Sequence, residues 1–302
     1  MMQTVSAVIP TVGRPSLSRA VQSVLDQTRP VDELIIVADT DVPVTLPPDD
    51  RIRLLQNPFR TGPAECRQRG IDAARSSVIA LLDDDDEWHR AKLERQLQAV
   101  VSAGAGAHWI ASSRMAVLGP GNRRRVWPRR LIEPEGSVAE YLFRFTDLRL
   151  GGAALQTSTL CFPTDLARNI RWDAHVGTAH DEPSRLIHVQ RAIPDLRVIQ
   201  LPEILSTYNV TNTSVSRRRS DCTESYIEWG LQYLKPESPR VLGDYLCTSP
   251  VSAAVSARSL RGVLRALQSA FRHGRPGPFA VGYAVLSAAR VVLRRAKSAV
   301  RP

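Results

Sequence analysis

Four short apolar runs punctuate the first hundred residues: Val5-Ser-Ala-Val-Ile9, Leu34-Ile-Ile-Val-Ala38, a weaker one from Arg51 to Leu55, and Val78-Ile-Ala-Leu-Leu82. Continuous hydrophobicity over such lengths reads as strands covered on both faces, as in the interior of a parallel sheet. Between them the period lengthens to that of a helix. Leu17, Ala20, Val21, Val24 and Leu25 recur at helical spacing after a candidate cap at Ser16, and Thr28-Arg-Pro30 stops them. Gly62 to Arg75 reads as a loop entering a helix, and Lys92 to Val101 as another, with Leu93, Leu97 and Val100 on one face. Strand and helix in alternation predict an α/β domain with a mostly parallel sheet, and right-handed crossovers bring the four strand ends to one edge.

The pattern weakens beyond Gly104-Ala-Gly106. His108 to Val117 is a candidate strand, and Gly119 to Arg130 a loop rich in Pro, Gly and Arg. Gly151-Gly152 opens a turn that becomes a strand toward Phe162. A short helix is expected from Thr164, then the polar segment Gly177 to Pro183 and an amphipathic helix through Val189. Strands follow at Val198 to Leu201 and Ile204 to Tyr208, and the basic stretch Arg217-Arg-Arg219 precedes a helical tail. In that tail Val255, Leu260, Val263, Leu264, Leu267 and Phe271 form one apolar face with arginines interleaved, and Phe279 to Val300 is a second such segment. The tail is expected either to pack on the rest of the protein or to lie on a membrane surface.

The run at Val78 ends on Asp83-Asp-Asp-Asp86, Glu87 and Trp88. Ligands of parallel sheets bind outside the carboxyl ends of the strands, so these carboxylates stand where a ligand would. Four adjacent acids repel one another unless a cation or a row of donors compensates them. A hard divalent ion such as Mg²⁺ or Mn²⁺, sharing its positions with substrate phosphates, fits that need. The alternative is an acidic cap on the helix that follows.

The net charge of +10 suits phosphates, nucleic acid or an anionic membrane. Cys66, Cys161, Cys222 and Cys247 lack paired spacing, which argues against a zinc site or a disulfide framework and for a cytoplasmic protein. No run reaches the roughly 18 to 20 apolar residues needed to span a bilayer. No G-x-G-x-x-G follows the first strand, against a dinucleotide oxidoreductase.

Four blocks in series resemble glycosyltransferase family 2, the inverting sugar transferases of GT-A fold. They are Ala7-Val-Ile-Pro-Thr11 with Arg14; Leu34 to Asp39; Gly62-Pro-Ala-Glu-Cys-Arg67-Gln-Arg-Gly70, similar to a G-x-x-x-A-R-N-x-G block; and Leu82 to Trp88 with Lys92-Leu93, similar to an L-D-x-D-D-x-W segment holding a D-x-D motif. Cys66 and Gln68 depart from the family's Ala and Asn, and the segment after Asp39 is shortened to Thr40-Asp41.

The resemblance implies a GT-A-like, Rossmann-like mixed sheet flanked by helices over residues 1–215, split into a nucleotide-binding half (1–105) and an acceptor-binding half (106–215), with a helical extension over 216–302. It implies metal-dependent transfer, by single displacement with inversion, from a nucleotide-diphosphate sugar of UDP or dTDP type to an acceptor hydroxyl or amine. Pro10, Thr11, Arg14, Asp39, Arg67, Asp83 and Asp84 would bind the donor, with Asp39 on the base and Arg67 packed against it. Asp85 and Asp83 would hold the metal. Asp181, within His180-Asp-Glu182, would be the general base with Glu182 in reserve, or else a helix cap. Trp88, Gln156, Thr157 and Ser158 would meet the acceptor. The rivals are a sugar-phosphate nucleotidyltransferase, and a basic module binding nucleic acid or a membrane surface. The enzyme reading expects no nucleic-acid partner, and leaves room for peripheral contact with the inner membrane face through the basic C-terminal helices.

Overall fold

The structure is a computed structural model that describes residues 3–57, 60–119, 121, 123–148, 151–172, 180–210 and 221–299, with side chains as far as residue 292. The contacts divide it into two units, residues 1–136 with 153–212, and residues 137–152 with 213–302.

The first unit is built on a nine-stranded sheet. Its elements are β1 (Val5–Thr11), α1 (Leu17–Leu25), β2 (Glu33–Ala38), β3 (Ile52–Gln56), α2 (Pro63–Ala73), β4 (Val78–Leu81), β5 (Glu87–Trp88), α3 (Lys92–Ser102), β6 (Trp109–Gly119) and β7 (Arg123–Trp127), then, past residues of the second unit, β8 (Cys161–Pro163), α5 (Thr164–Asn169), α6 (Asp181–Ala192) and β9 (Arg197–Asn209). The label α4 belongs to a helix of the second unit, Val138–Phe143. The strand order is β3-β2-β1-β4-β8-β6-β9-β5, with β7 added to β6.

β1 lies between β2 and β4 and is parallel to both, and β3 is parallel to β2. Every residue of β1, β2 and β4 is buried, which is why their sequences are apolar on both faces. The connection through α1 leaves β1 toward β2, whereas that through α2 crosses back to β4 on the other side. This reversal opens a crevice at the carboxyl ends of β1 and β4.

One glycine sets how closely α2 approaches. A Cβ at Gly70 would lie 2.3 Å from Cγ1 of Val8 and 3.3 Å from Cγ2 of Val37, so only a residue without a side chain lets the helix rest on β1 and β2.

Three expectations change. Arg123 to Trp127, read as loop, is a strand antiparallel to β6; its arginines are exposed, and an edge strand needs no apolar face to be recognised by. Residues 198–208 form one strand rather than two, because Pro202 sits where the β6–β9 register shifts and no ladder donor is required of it. The stretch after Gly151 becomes a strand only at Cys161, after a 3₁₀ turn at Thr157–Thr159. Residues 177–179 of the expected polar segment, and Arg217 to Arg219, lie outside the described residues.

The second unit is helical: α4, α7 (Thr223–Tyr233), α8 (Pro239–Leu246), α9 (Ser249–Ser256), α10 (Leu260–His273) and α11 (Pro278–Ala299). Phe143, Trp229, Tyr233 and Tyr245 form its aromatic centre, with ring centroids 5.1–5.5 Å apart. Asp244 is fully buried and accepts from Arg240, the Phe145 N–H and the Gly277 N–H. The expected apolar face of α10 is only partly the packed one. Val263, Ala266 and Ala270 are buried, whereas Leu264 and Phe271 are exposed, because close helix packing selects small side chains.

Candidate active site

Every candidate site residue belongs to the first unit, and most converge on the crevice at the ends of β1 and β4. The acidic loop leaves β4 with its four side chains in two kinds of environment. Asp84 and Asp86 are buried, at 2% and 1% exposure, and saturated by donors. Asp84 accepts from Thr11 Oγ1 at 2.6 Å and from Arg14. Asp86 accepts from Ser158 Oγ at 2.6 Å, Gln156 Nε2 at 3.0 Å and the Asn209 N–H at 3.0 Å. Burial, and next the charge of Asp83, push Asp86 well above the usual carboxylate range, against the opposing hydrogen bonds from Ser158 and Asn209.

Asp83 and Asp85, the outer pair of the D-x-D motif, retain acceptor capacity. The nearest cation to Asp85 is Arg14, at 3.6 Å. Burial, then Asp83, raises Asp85 to about 6 against the opposing pull of Arg14. Asp83 gives one oxygen to Arg67 at 2.7 Å, and its other oxygen is 3.4 Å from Gln156 Nε2. Two hard oxygen donors that keep lone pairs beyond those taken by Arg67 and Arg14 fit a divalent cation. Among the described residues no group of three or more His, Cys, Asp or Glu is arranged to hold an ion unaided, so other oxygens, such as those of a diphosphate, would complete its shell.

Arg67 joins the two halves of the site. It projects from α2, is 5% exposed, and donates from Nη2 to Asp83 and from Nη1 to Asp181, both at 2.7 Å. Its guanidinium carbon lies 5.0 Å from the ring centroid of Trp172. Burial opposes its charge, but Asp83 and Asp181 outweigh that and hold it above its usual range. The guanidinium thus spans the acidic loop and the start of α6.

Asp181 and Glu182 open α6, preceded by His180 in the left-handed region at φ 68°. Asp181 also accepts the Glu182 N–H at 3.0 Å, so it has part of the capping role as well. The Glu182 carboxylate accepts from the Thr157 N–H at 2.8 Å and from Thr157 Oγ1. Burial, then Asp181, raises Glu182 to about 7, and burial lowers His180 to about 4.

The remaining candidates divide. Asp39 lies beyond β2, and its carboxylate accepts the Thr61 and Gly62 N–H groups at 2.9 Å each. It thereby holds the loop that enters α2, at Gly62 with φ +91°; a carboxylate with about four lone-pair sites keeps capacity for a ligand. Pro10 is buried in β1, in register with Val37.

Trp88, Thr157 and Ser158 are buried at 5%, 0% and 1%. Their polar atoms turn inward: Trp88 Nε1 donates to the Ser158 carbonyl at 2.8 Å, and Ser158 Oγ accepts the Asp83 N–H at 3.1 Å. Trp88 and Ser158 brace the acidic loop, and Thr157 holds Glu182. Gln156 is only half-buried.

Two supports escaped the sequence reading. Asn209, at the end of β9, donates to the Asp85 carbonyl at 2.8 Å, and Trp172 underlies Arg67. Neither sits in a local motif; only the sheet order brings β9 to the acidic loop.

Residues 6–130 match the family model described as Glycosyl transferase family 2. The amylovoran biosynthesis glycosyltransferase AmsB of Erwinia amylovora is 25% identical over 192 residues, 63% of this chain and 60% of that protein. The UDP-Glc:alpha-D-GlcNAc-diphosphoundecaprenol beta-1,3-glucosyltransferase WfgD of Escherichia coli is 34% identical over 103 residues, 32% of this chain and 41% of that protein. The chain thus spans less than two thirds of either relative's length. Among solved structures, S. aureus TarS aligns over 95% of this chain and 54% of its own, with a TM-score of 0.57 at 13% identity. TarS 1-349 in complex with UDP-GlcNAc aligns over 95% and 91%, with a TM-score of 0.54 at 14% identity.

Proposed function

We propose that the protein, whose residues 6–130 match the family model described as Glycosyl transferase family 2, moves a sugar from a nucleotide-diphosphate sugar to an acceptor hydroxyl by single displacement with inversion. The observation that carries this reading is the reach of Arg67, which touches Asp83 and Asp181 at once. A charge-binding carboxylate and a candidate base from distant parts of the chain therefore line one crevice, a single side chain apart.

In this reading Asp85 and Asp83 hold a divalent cation. When bound, it offsets the charge that grows on the departing diphosphate. Arg14, paired with Asp84, adds positive charge beside the same oxygens. Thr11 and the backbone at the end of β1 floor the nucleotide site, and Asp39 accepts from the base, of uracil or thymine type. Asp181 takes the proton of the acceptor hydroxyl as that oxygen attacks the anomeric carbon. The base must approach from the side opposite the diphosphate, and Asp181 enters from α6 whereas the acids come from β4. Glu182 is the second candidate, favoured by a pKa near neutrality and disfavoured by the two Thr157 donors on its carboxylate. Gln156, half-buried and bonded to Asp86, is the member of its segment with surface to offer an acceptor.

The names of the relatives, an amylovoran biosynthesis enzyme and a glucosyltransferase acting on a diphosphoundecaprenol acceptor, support a growing glycan as acceptor class and UDP as carrier. The four cysteines are free, in keeping with a cytoplasmic enzyme.

A panel of UDP- and dTDP-sugars with Mn²⁺, followed by NMR of the product's anomeric proton, tests the reading. Inversion of the donor configuration is expected, and a retained configuration would overturn single displacement. Asp181→Asn should leave nucleotide binding intact and slow turnover by about 10²- to 10⁴-fold. Unchanged turnover, with Glu182→Gln inactive, would transfer the base role to Glu182.

A further inference from the structure

All thirty Asp and Glu of this chain fall within its first 244 residues, together with thirty of its forty Lys and Arg. The first 244 residues are therefore formally neutral. Residues 245–302 hold the other ten cations and no acidic side chain, and so carry the whole net charge of +10.

The exposed apolar residues of the second unit fall largely in the same stretch. On α10, Leu260, Leu264, Leu267 and Phe271 recur at spacings of four, three and four, which lines them along one stripe. Leu264 is 60% exposed and Phe271 62%, and Leu260 and Leu267 are half-buried. Arg261, Arg265 and Arg272 follow along one flank of that stripe and are exposed; Arg265 shares its charge with Glu224 at 3.2 Å. The opposite flank, Val263, Ala266 and Ala270, is what packs. On α11 the exposed apolar residues Phe279, Val285, Leu286 and Val292 again share one face.

From this pairing of exposed Leu and Phe with arginines on two helices that carry no acidic residue of their own we infer that α10 and α11 dock the protein on an anionic lipid surface. The chemistry selects among occupants. A second copy of this face would set its arginines against arginines. A nucleic acid would take the arginines but leave the Leu264–Phe271 stripe in water. The interface of an anionic bilayer satisfies both at once, apolar side chains at the acyl boundary and guanidinium groups among the phosphates. Among the described residues no helix is long and apolar enough to cross a membrane, so these helices lie on the surface and do not span it. Such docking would hold the crevice's enzyme near glycan acceptors carried on lipid, but the inference stands on the two helices alone.

The test is sedimentation of the full chain with vesicles of phosphatidylcholine, with and without about 30 mol% phosphatidylglycerol. At about 0.1 M salt the anionic vesicles should bind at least ~10-fold more tightly, and the advantage should shrink as salt rises. Leu264→Ser with Phe271→Ser should weaken binding by ~10-fold or more with near-UV dichroism unchanged. Arg261→Gln with Arg272→Gln, also exposed and remote from the crevice residues in sequence, should remove most of the preference for anionic lipid. Equal binding to neutral and anionic vesicles, or no binding to either, overturns the inference. So does tighter binding to duplex DNA or RNA that the Leu264 and Phe271 changes leave unaltered. Sugar transfer is not the readout, so failure here is separable from failure of the enzymatic reading.

Discussion

Between Asp83 and Asp86 four carboxylates crowd the end of a buried strand, and within the same unit Arg14, Arg67, Ser158, Gln156, Thr11 and Asn209 answer them. Between residues 245 and 302 ten cations run without one acid among them. In the first region charge is buried, and desolvation makes every uncompensated group costly, so the fold supplies donors for nearly all of it. What it leaves over, the capacity of Asp83 and Asp85, is the opening for a ligand. In the second region the six cations whose side chains are described, Arg258, Arg261, Arg265, Arg272, Arg275 and Arg290, are exposed and water screens them, so the fold tolerates the excess. The lesson is that a deficit of partners carries information in proportion to burial: a small one in the crevice defines a site, whereas a large one on the surface defines only a preference.

Substitutions can break or sharpen that contrast. Arg67→Met removes the bridge and leaves the buried Asp181 and the half-buried Asp83 without their cation; unfolding in urea should show a loss of about 3–5 kcal/mol. If stability were unchanged, the bridge would not be compensating buried charge.

Glu182→Gln should act through pH. The folded-state pKa of about 7 lies above the unfolded value near 4.5, so the stability this group contributes is fully present below about 4.5 and is lost as pH rises through 7. Gln keeps the acceptor for Thr157 and carries no charge, so at pH 8 the variant should be more stable than the parent by on the order of 2 kcal/mol. The difference should fade toward pH 4.5, and thermal melts across that range check both sign and window. Arg261→Gln with Arg272→Gln, in the exposed region, should change stability by less than about 0.5 kcal/mol.

The parallel half of the sheet was readable in the sequence because burial on both faces writes itself as unbroken hydrophobicity, in Val5 to Ile9, Leu34 to Ala38 and Val78 to Leu82. The crevice was readable because the acids follow the last of these directly. Residues at edges and in the service of neighbours were less so. The arginines of β7 pair through backbone alone, which leaves no side-chain pattern. Trp88, Thr157 and Ser158 look like residues for a sugar, yet they are buried, with Trp88 and Ser158 tied in beside the acidic loop and Thr157 bonded to Glu182. Arg67 was readable as important but not in its placement, because its two partners lie 16 and 114 residues away. On α10 the large apolar residues drew attention, while the small ones, Ala266 and Ala270, made the packing.

The most direct measurement is calorimetric titration of UDP into the parent and into Asp85→Ala, each with and without Mn²⁺. In the parent, Mn²⁺ should tighten UDP binding by at least about 10-fold, because carboxylate and diphosphate oxygens share one cation. In Asp85→Ala that enhancement should vanish. Tight UDP binding indifferent to Mn²⁺ in the parent, or an undiminished Mn²⁺ effect in Asp85→Ala, would contradict a cation held by the acids that follow β4.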